Sequence, residues 1–511
     1  MAARQERGAG RGELSPTFDT TDMDAANRST HDLSFWLKEA LDSEAREPLV
    51  SLDRDIAADV CIVGGGFTGL WSAIEIKQTR PETEVVVVER DMCGSGASGR
   101  NGGFVLSLWA KFVSLAKVCG ETEAERLCDL SSQAILDLRA FCEKHDIDAE
   151  MRLDGWLWTA TSDAQIGTWD ATVAAAARLG QAPFETPRNE AALLGGSAAH
   201  LAGVFERISA SIQPARLARG LKRHAVRLGV KIFERSSMLA LDRGVPAQVR
   251  CQRGTVKAHK VILAMNAWGS VFAEIRKAIA VVSSDIVITR PLPKLLDAMH
   301  WTDGMTISDC RMLVHYYRTT PDGRIVFGKG GGSGKMAFGS RVEGKFDGCS
   351  PIESTVADWL SRIYPGVAQS DVVQSWTGPI DRSSNGLPSF GALPGNQHIF
   401  YGIGYSGNGV GPSMLGGKIL RSLALSLDDE WTRCGLVQPL RRAFPPEPFR
   451  YLGARAVRHA VAQSDLAADE GRAPGMIVRG LARLAPAGLS PVRKNTDAGS
   501  NAPASNTLRS P

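Results

Sequence analysis

The chain has 511 residues, 43% hydrophobic and 22% charged, a balance that excludes a largely disordered protein and allows about three structural units. Its 59 Lys and Arg against 55 Asp and Glu leave a formal +4, too thinly spread for a nucleic-acid-binding surface. No run approaches the roughly 18 apolar residues of a membrane span.

Residues 1–30 are polar, without the apolar stretch of a secretory signal, and are expected to be disordered. Residues 34–41 (SFWLKEAL) read as a short helix. The run 59–63 (DVCIV) is β-prone and continuously apolar, as in a buried parallel strand. GGGFTG follows, then a helical pattern over 70–79, and a second apolar strand at 83–89 (TEVVVVE) ends on a carboxylate. This is a β-α-β unit of about 30 residues. Its glycines Gly64, Gly66 and Gly69 form G-x-G-x-x-G, with Phe67 and Thr68 between them. The first permits the turn, the second lets backbone approach a pyrophosphate, and the third lets helix pack on strand. Glu89, 20 residues past Gly69, stands where a carboxylate accepts hydrogen bonds from ribose hydroxyls, and it disfavours NADP by repelling a 2′-phosphate.

A small-residue loop comes next, containing Ser98, Gly99, Arg100, Asn101, Gly102 and Gly103. It is a candidate lining for the middle of an extended cofactor; two multidentate polar residues argue against a merely flexible loop. Trp156 and Trp158 in GWLW share a strand face and read as core. Pro214 starts a helix that Gly229 ends. The basic run Arg216, Arg219, Lys222 and Arg223 falls around that helix and reads as a solvated face. Strands are expected at 230–234 and 257–264. Around 312–329, MLVHYYR and RIVFGK are two strands joined by Thr-Pro-Asp-Gly, a turn signal. The run IFYGI at 399–403 leads into a third glycine loop, Gly404, Tyr405, Ser406, Gly407, Asn408, Gly409 and Val410, and then a helix. A helix N-terminus there would stabilise charge developing on a reduced ring. The nine cysteines contain no C-x-x-C pair, which suits a reducing cytoplasm better than a disulfide scaffold or a zinc site; no metal is expected.

GGGFTG with Glu89, the GASGRNGG loop, and WTGPIDRSSNGLPSFG followed by GIGYSGNGV resemble, in order and approximate spacing, the D-amino-acid oxidase-like family of FAD-dependent amine oxidoreductases. The likeness covers residues 57–427. ADVCIVGGGFTGLW, GASGRNGGF and HYYRTTPDGRIVFGKGG are most similar to the bacterial branch holding γ-glutamylputrescine oxidase and aminophosphonate oxidoreductases. The resemblance implies an α/β fold: a Rossmann-type FAD domain at 57–105, 205–275 and 375–428, interleaved with an antiparallel-sheet substrate domain at 106–204 and 276–374. A helical segment at 429–470 and a mostly disordered tail at 471–511 follow. FAD would lie extended across the three loops, with residues 230–241 (including Met238) and 264–268 (including Ala264 and Asn266) flanking adenine and pyrophosphate. Gly99-Arg100 stands where one subgroup attaches flavin through histidine, and no cysteine lies near WTGPID; non-covalent FAD is expected.

The implied reaction is hydride removal from the carbon bearing an amine, giving an imine that water hydrolyses; the cofactor carries the difficult step. Period-2 alternation puts Tyr316 and Arg318 on one face of their strand and His315 and Tyr317 on the other, and which face meets the cofactor is open. His315, Tyr317 and Lys329 are the catalytic candidates; His315 leans towards a structural histidine, and Lys329 either assists reaction with oxygen or is a solvated lysine at a strand end. Tyr316, Trp376 and Arg382 are the substrate-contact candidates, Arg382 for a carboxylate or phosphonate. Asn408 stands where the putrescine-oxidising relatives carry a histidine, which loosens the transfer of their substrate. The alternatives are a dehydrogenase of a hydroxy acid or polyol phosphate, and a non-catalytic or tRNA-modifying FAD protein. The acceptor is oxygen or a quinone; for the latter, residues 476–484 (MIVRGLARL) offer a weakly amphipathic contact with a membrane surface.

Overall fold

Four-residue apolar runs without charge cannot tolerate a wet face, and this dictates the centre of the molecule. In the computed structural model, Val85–Val88 is buried throughout and pairs in parallel with Ile56–Val63, with Val60 opposite Val85 and Val63 opposite Val88. The model describes residues 33–45, 48–186, 190–330, 334–342, 344 and 346–486. The expected disordered segment 1–30 lies outside them, as does the tail beyond 486.

The first sheet runs Ser389–Leu393, Asn396–Ile403, Thr255–Leu263, Ile56–Val63, Val85–Val88 and Lys231–Phe233; Met238–Asp242 and Ala247–Cys251 form an antiparallel flap beside Thr255–Leu263. Helices Phe67–Thr79 and Pro412–Ala424 pack against each other on one face. A Cβ at Gly417 would lie 2.6 Å from Trp71 Cβ, so only glycine permits that approach. The second sheet runs Val372–Ser383, Ile279–Thr289, Ile325–Lys329, His315–Thr319, Thr306–Asp309, Trp156–Ala160, Ala202–Glu206 and Phe184–Glu185. It is antiparallel except where Thr306–Asp309 runs parallel to Trp156–Ala160. Two expected domain cuts fall inside its strands: 205 in Ala202–Glu206 and 375 in Val372–Ser383. Val372–Ser383 thus belongs to the second sheet and Ser389–Leu393 to the first. Trp156 and Trp158 stack at 5.4 Å within the core.

The short N-terminal helix spans Phe35–Ser43, capped by Ser34 Oγ accepting from Leu37 N. It grips the second glycine loop: Ser34 Oγ donates to Gly99 O at 2.6 Å and Trp36 Nε1 to Asn101 O at 3.0 Å. The basic run on Pro214–Arg227 is not a solvated face. Arg219 and Lys222 are buried and both pair with Glu234, at 3.1 and 2.8 Å, while Arg216 reaches Glu39 and Arg219 and Arg223 reach Glu44. Those carboxylates lie elsewhere in the chain, so helical periodicity alone could not reveal them.

Beyond the first sheet's last strand, helix Phe449–Asp469 and helix Met476–Ala482 pack together and against Met312 and Leu313, in the connection between strands Thr306–Asp309 and His315–Thr319 of the second sheet. The segment expected as mostly disordered from 471 thus contains a helix. Among the described residues no helix is long and apolar enough to cross a membrane, and all nine cysteines are free.

Candidate active site

The strand Ile56–Val63 delivers its chain end to Gly64, whose φ of +112° turns it into helix Phe67–Thr79. A Cβ at Gly69 would lie 2.0 Å from Gly64 O, so the helix sits directly against the turn. The helix opens with no side-chain cap of its own; Ser98 of the second loop supplies one, its Oγ accepting from Phe67 N at 2.9 Å. Glu89 ends the second strand and turns back onto the glycines, Oε2 accepting from Gly65 N at 2.7 Å and Oε1 from Asp91 N at 3.0 Å. Burial raises its carboxyl, and those two N–H donors oppose the rise.

These pieces form one end of a trough of about 280 Å³ that runs between the two sheets. Its walls take in Gly64, Gly66, Phe67, Thr68 and Glu89 from the first loop region, Ser98, Arg100, Asn101 and Gly102 from the second, and Tyr405, Gly407, Asn408, Gly409 and Val410 from the third. Met238, Ala264 and Asn266 line it as well. Gly69, Gly99, Gly103 and Gly404 do not; they are the close backbone approaches behind its wall, as Gly99 shows with a notional Cβ 2.2 Å from Gly94 O. Thr68 Oγ1 donates to Tyr405 Oη at 2.7 Å, joining the first and third loops. Arg100 and Asn101 act on the second loop itself: Arg100 Nε donates to Ser95 O, and Asn101 Nδ2 to Ala97 O and Ser98 O.

At the Glu89 end, Arg90 lies over the Trp268 ring at 4.8 Å, two trough residues whose pairing the sequence did not suggest. At the other end the second sheet forms the roof. Tyr316 extends over Gly328 and Gly102, its Oη 2.6 Å from Ser284 Oγ and its ring edge-on to Phe104 at 5.6 Å. Ser308, Met312, Val314, Ile380, Asp381 and Arg382 complete that end. Ser284 and Asp381 were not among the expected site residues. Asp381 stands in the quoted WTGPID segment; burial pushes its carboxyl up to about 7, opposed by Gly404 N donating to Oδ2 at 2.5 Å. Arg382 lines the trough and burial lowers its guanidinium.

The three catalytic candidates lie elsewhere. His315, Tyr317 and Lys329 share the opposite face of the roof, because paired residues of antiparallel strands point the same way and His315 pairs with Lys329. His315 Nδ1 is 2.8 Å from Asp309 Oδ2 and its Nε2 2.7 Å from Lys329 Nζ, while Arg311 pairs with Asp309 at 2.9 Å and with Asp469. Burial pushes His315 down to about 4 and Lys329 down to about 8. A neutral His315 with its proton on Nδ1 satisfies both neighbours. Tyr317 Oη meets His200 Nε2 at 2.7 Å and its ring stacks on Phe327 at 5.1 Å. Arg311, which holds Asp309, also pairs with Asp469, so this cluster ties the roof to helix Phe449–Asp469. Trp376, expected at the substrate, is buried with Nε1 donating to Arg100 O at 2.8 Å, so it braces the second loop.

A β-α-β glycine turn, a carboxylate at the next strand end and a trough continuing under a second, antiparallel sheet define a dinucleotide-dependent oxidoreductase of the two-sheet flavoprotein class. The family model for FAD dependent oxidoreductases, DAO, matches residues 59–423. The chain belongs to this family, and its cofactor is FAD. It is 30% identical over 385 residues to gamma-glutamylputrescine oxidoreductase of Escherichia coli (strain K12), covering 74% of this chain and 85% of that protein. It is 25% identical over 386 residues to glycine oxidase of Geobacillus kaustophilus (strain HTA426), covering 71% and 92%. The crystal structure of glycine oxidase from Geobacillus kaustophilus superposes with a TM-score of 0.59 at 20% identity, over 76% of this chain and all of that one. L-proline dehydrogenase from P. horikoshii gives 0.59 at 18% identity, again over 76% of this chain.

The residues fit FAD on their own geometry. A side chain at position 66 would begin 2.8 Å from Ser98 Oγ and close the cradle at the helix N-terminus, where free N–H groups favour a phosphate.

Proposed function

We propose that this enzyme oxidises the C–N bond of a small amine, with the amine held beneath Tyr316 and Ser284. The observation that carries this reading is the end of the trough under the second sheet, where two hydroxyls in contact stand among the apolar side chains of Leu106, Met312, Val314 and Ile380, with Ser308, Asp381 and Arg382 at the same end. Such a chamber favours an uncharged amine over an ammonium, because an ammonium would be desolvated there and would meet the Arg382 guanidinium. FAD, when bound, supplies the acceptor for the hydride pair leaving the carbon next to nitrogen. The chain's part is placement. Tyr316 and Ser284 offer one oxygen to accept from the amine N–H and one O–H to meet its lone pair, and the wall excludes bulk water. Arg382, at the same end, orients an anionic terminus of the substrate. Loss of the hydride and of the nitrogen's proton leaves an imine, which water converts to a carbonyl compound and an amine or ammonia. Likeness to gamma-glutamylputrescine oxidoreductase and to glycine oxidases supports an amine as the reductant.

The test is anaerobic bleaching of the purified flavoprotein. The panel holds glycine, 2-aminoethylphosphonate, its N-methyl derivative and γ-glutamylputrescine, with glycolate and glycerol 3-phosphate beside them. Bleaching by at least one amine and by neither hydroxy compound is expected. Bleaching by glycolate or glycerol 3-phosphate alone would overturn the proposal in favour of C–O oxidation. Peroxide formed in air identifies oxygen as acceptor; turnover with dye and no peroxide identifies a dehydrogenase.

A further inference from the structure

Helix Met476–Ala482 is apolar on both sides. Val478, Leu481 and Ala482 face inward and pack with Leu313, Ala460 and Val461. Met476 and Leu484 lie two turns apart on the outward side with Ile477 beside them, and they are 82%, 69% and 80% exposed. Met476 and Ile477 are the two most exposed large apolar side chains among the described residues. Gly480 between them leaves that face flat, with nothing within 4 Å of where a Cβ would stand. A water-facing helix has no use for such a row.

Charge decides between occupants. Residues 471–511 hold Arg472, Arg479, Arg483, Arg493, Lys494 and Arg509 against one acid, Asp497. This stretch carries a formal +5 and the preceding 470 residues −1, so in sequence the basic excess of the whole chain falls after residue 470. Arg483 is exposed and Arg479 half-buried beside the exposed apolar positions. A second copy would bring the same excess against itself. An anionic surface with an apolar interior complements both features, and apolar side chains bordered by arginines are the signature of helices that lie in a bilayer interface. The inner residues tie this face to the active site. Met312, which packs in the same cluster, also lines the trough, and Arg382 Nη2 donates to Pro486 O at 3.4 Å just past the helix.

We propose that the outward face of helix Met476–Ala482, with Leu484, docks the enzyme on an anionic lipid surface. This does not depend on which bond the enzyme oxidises. The test sediments the full-length flavoprotein with vesicles of phosphatidylcholine alone and of phosphatidylcholine with phosphatidylglycerol. Binding to the anionic vesicles, weaker binding to the neutral ones, and release by salt are expected. Ile477→Asp, at an exposed position that does not carry the fold, is expected to lower anionic-vesicle partitioning by about tenfold or more. Arg483→Ser is expected to lower it several-fold. The flavin spectrum and bleaching by substrate in solution stay unchanged in both variants, which separates this outcome from a failure of the proposed reaction. Protein left in the supernatant with both vesicle types would overturn the proposal, as would unchanged binding by Ile477→Asp. A particle that halves in mass in Ile477→Asp without any vesicle binding would assign the face to a second copy instead.

Discussion

The roof tyrosine stands where it does because two neighbours have no side chain. A Cβ at position 328 would lie 2.1 Å from Tyr316 Cζ, 2.3 Å from Cε2 and 2.5 Å from Oη. Gly328→Ala therefore requires the ring to move, and a Cβ at Gly102 would already be only 2.7 Å from Cε2 on another side. The ring's exit is into the substrate end of the trough, breaking the 2.6 Å contact with Ser284. Overpacking of this kind costs about 1–3 kcal/mol, and the lost hydrogen bond about 0.5–1.5 kcal/mol. Their sum is large enough to lower the melting temperature by several degrees. A ring invading the chamber should raise KM for the amine by about tenfold, the equivalent of ~1.4 kcal/mol, while flavin content is retained. Gly453→Ala is the control: it lies in the exposed interior of helix Phe449–Asp469 with nothing within 4 Å, and should gain about 0.5–1 kcal/mol. Thermal denaturation and steady-state kinetics on both variants measure these effects. A Gly328→Ala enzyme that melts and turns over like the parent would refute the packing argument.

Gly66→Val should reduce FAD affinity at least about a hundredfold by blocking charge-assisted hydrogen bonds at the helix N-terminus; flavin released on heating reports it, and circular dichroism confirms the fold. Tyr317→Phe removes the bond to His200 and should cost about 1–3 kcal/mol of stability with kcat and KM unchanged. A large loss of kcat there would return Tyr317 to the chemistry. Asp381 is held near 7 by burial, above the ~3.9 of an unfolded aspartate. Its proton binds more tightly in the folded state, so its contribution to stability is full below about 4 and is lost as pH rises through about 7. The melting temperature of Asp381→Asn minus that of the parent, both flavin-free, should therefore climb across that window, and a flat difference would contradict the assignment.

Much of the cofactor half was legible in the sequence because its determinants are local. A four-valine strand, the glycines at 64, 66 and 69 and the carboxylate at 89 each follow from backbone constraints within one β-α-β unit. The roof strands were also visible, through their alternation and the Thr-Pro-Asp-Gly turn. Which face of the roof meets the trough was not, since alternation distinguishes two faces without ranking them. The ranking was present in Gly328, the residue opposite Tyr316, because a glycine across a strand from an aromatic leaves room for the ring to lie flat. His315, Tyr317 and Lys329 were expected at the chemistry as residue types; their partners, Asp309 and His200, come from other elements, and the three side chains lie outside the trough lining. The basic helix Pro214–Arg227 failed in the same way, because Glu39, Glu44 and Glu234 meet it only through tertiary folding.

The grip of the N-terminal helix on the second glycine loop has a practical side. The family match begins at residue 59, yet Ser34 and Trp36 fasten the carbonyls of Gly99 and Asn101, and Gln213 Nε2 holds Trp36 O at 2.8 Å. An expression clone trimmed to the family boundaries would thus keep every signature glycine while discarding the brace on one of its loops. Gene boundaries for this enzyme are better drawn around that upstream helix than around the span the family model matches.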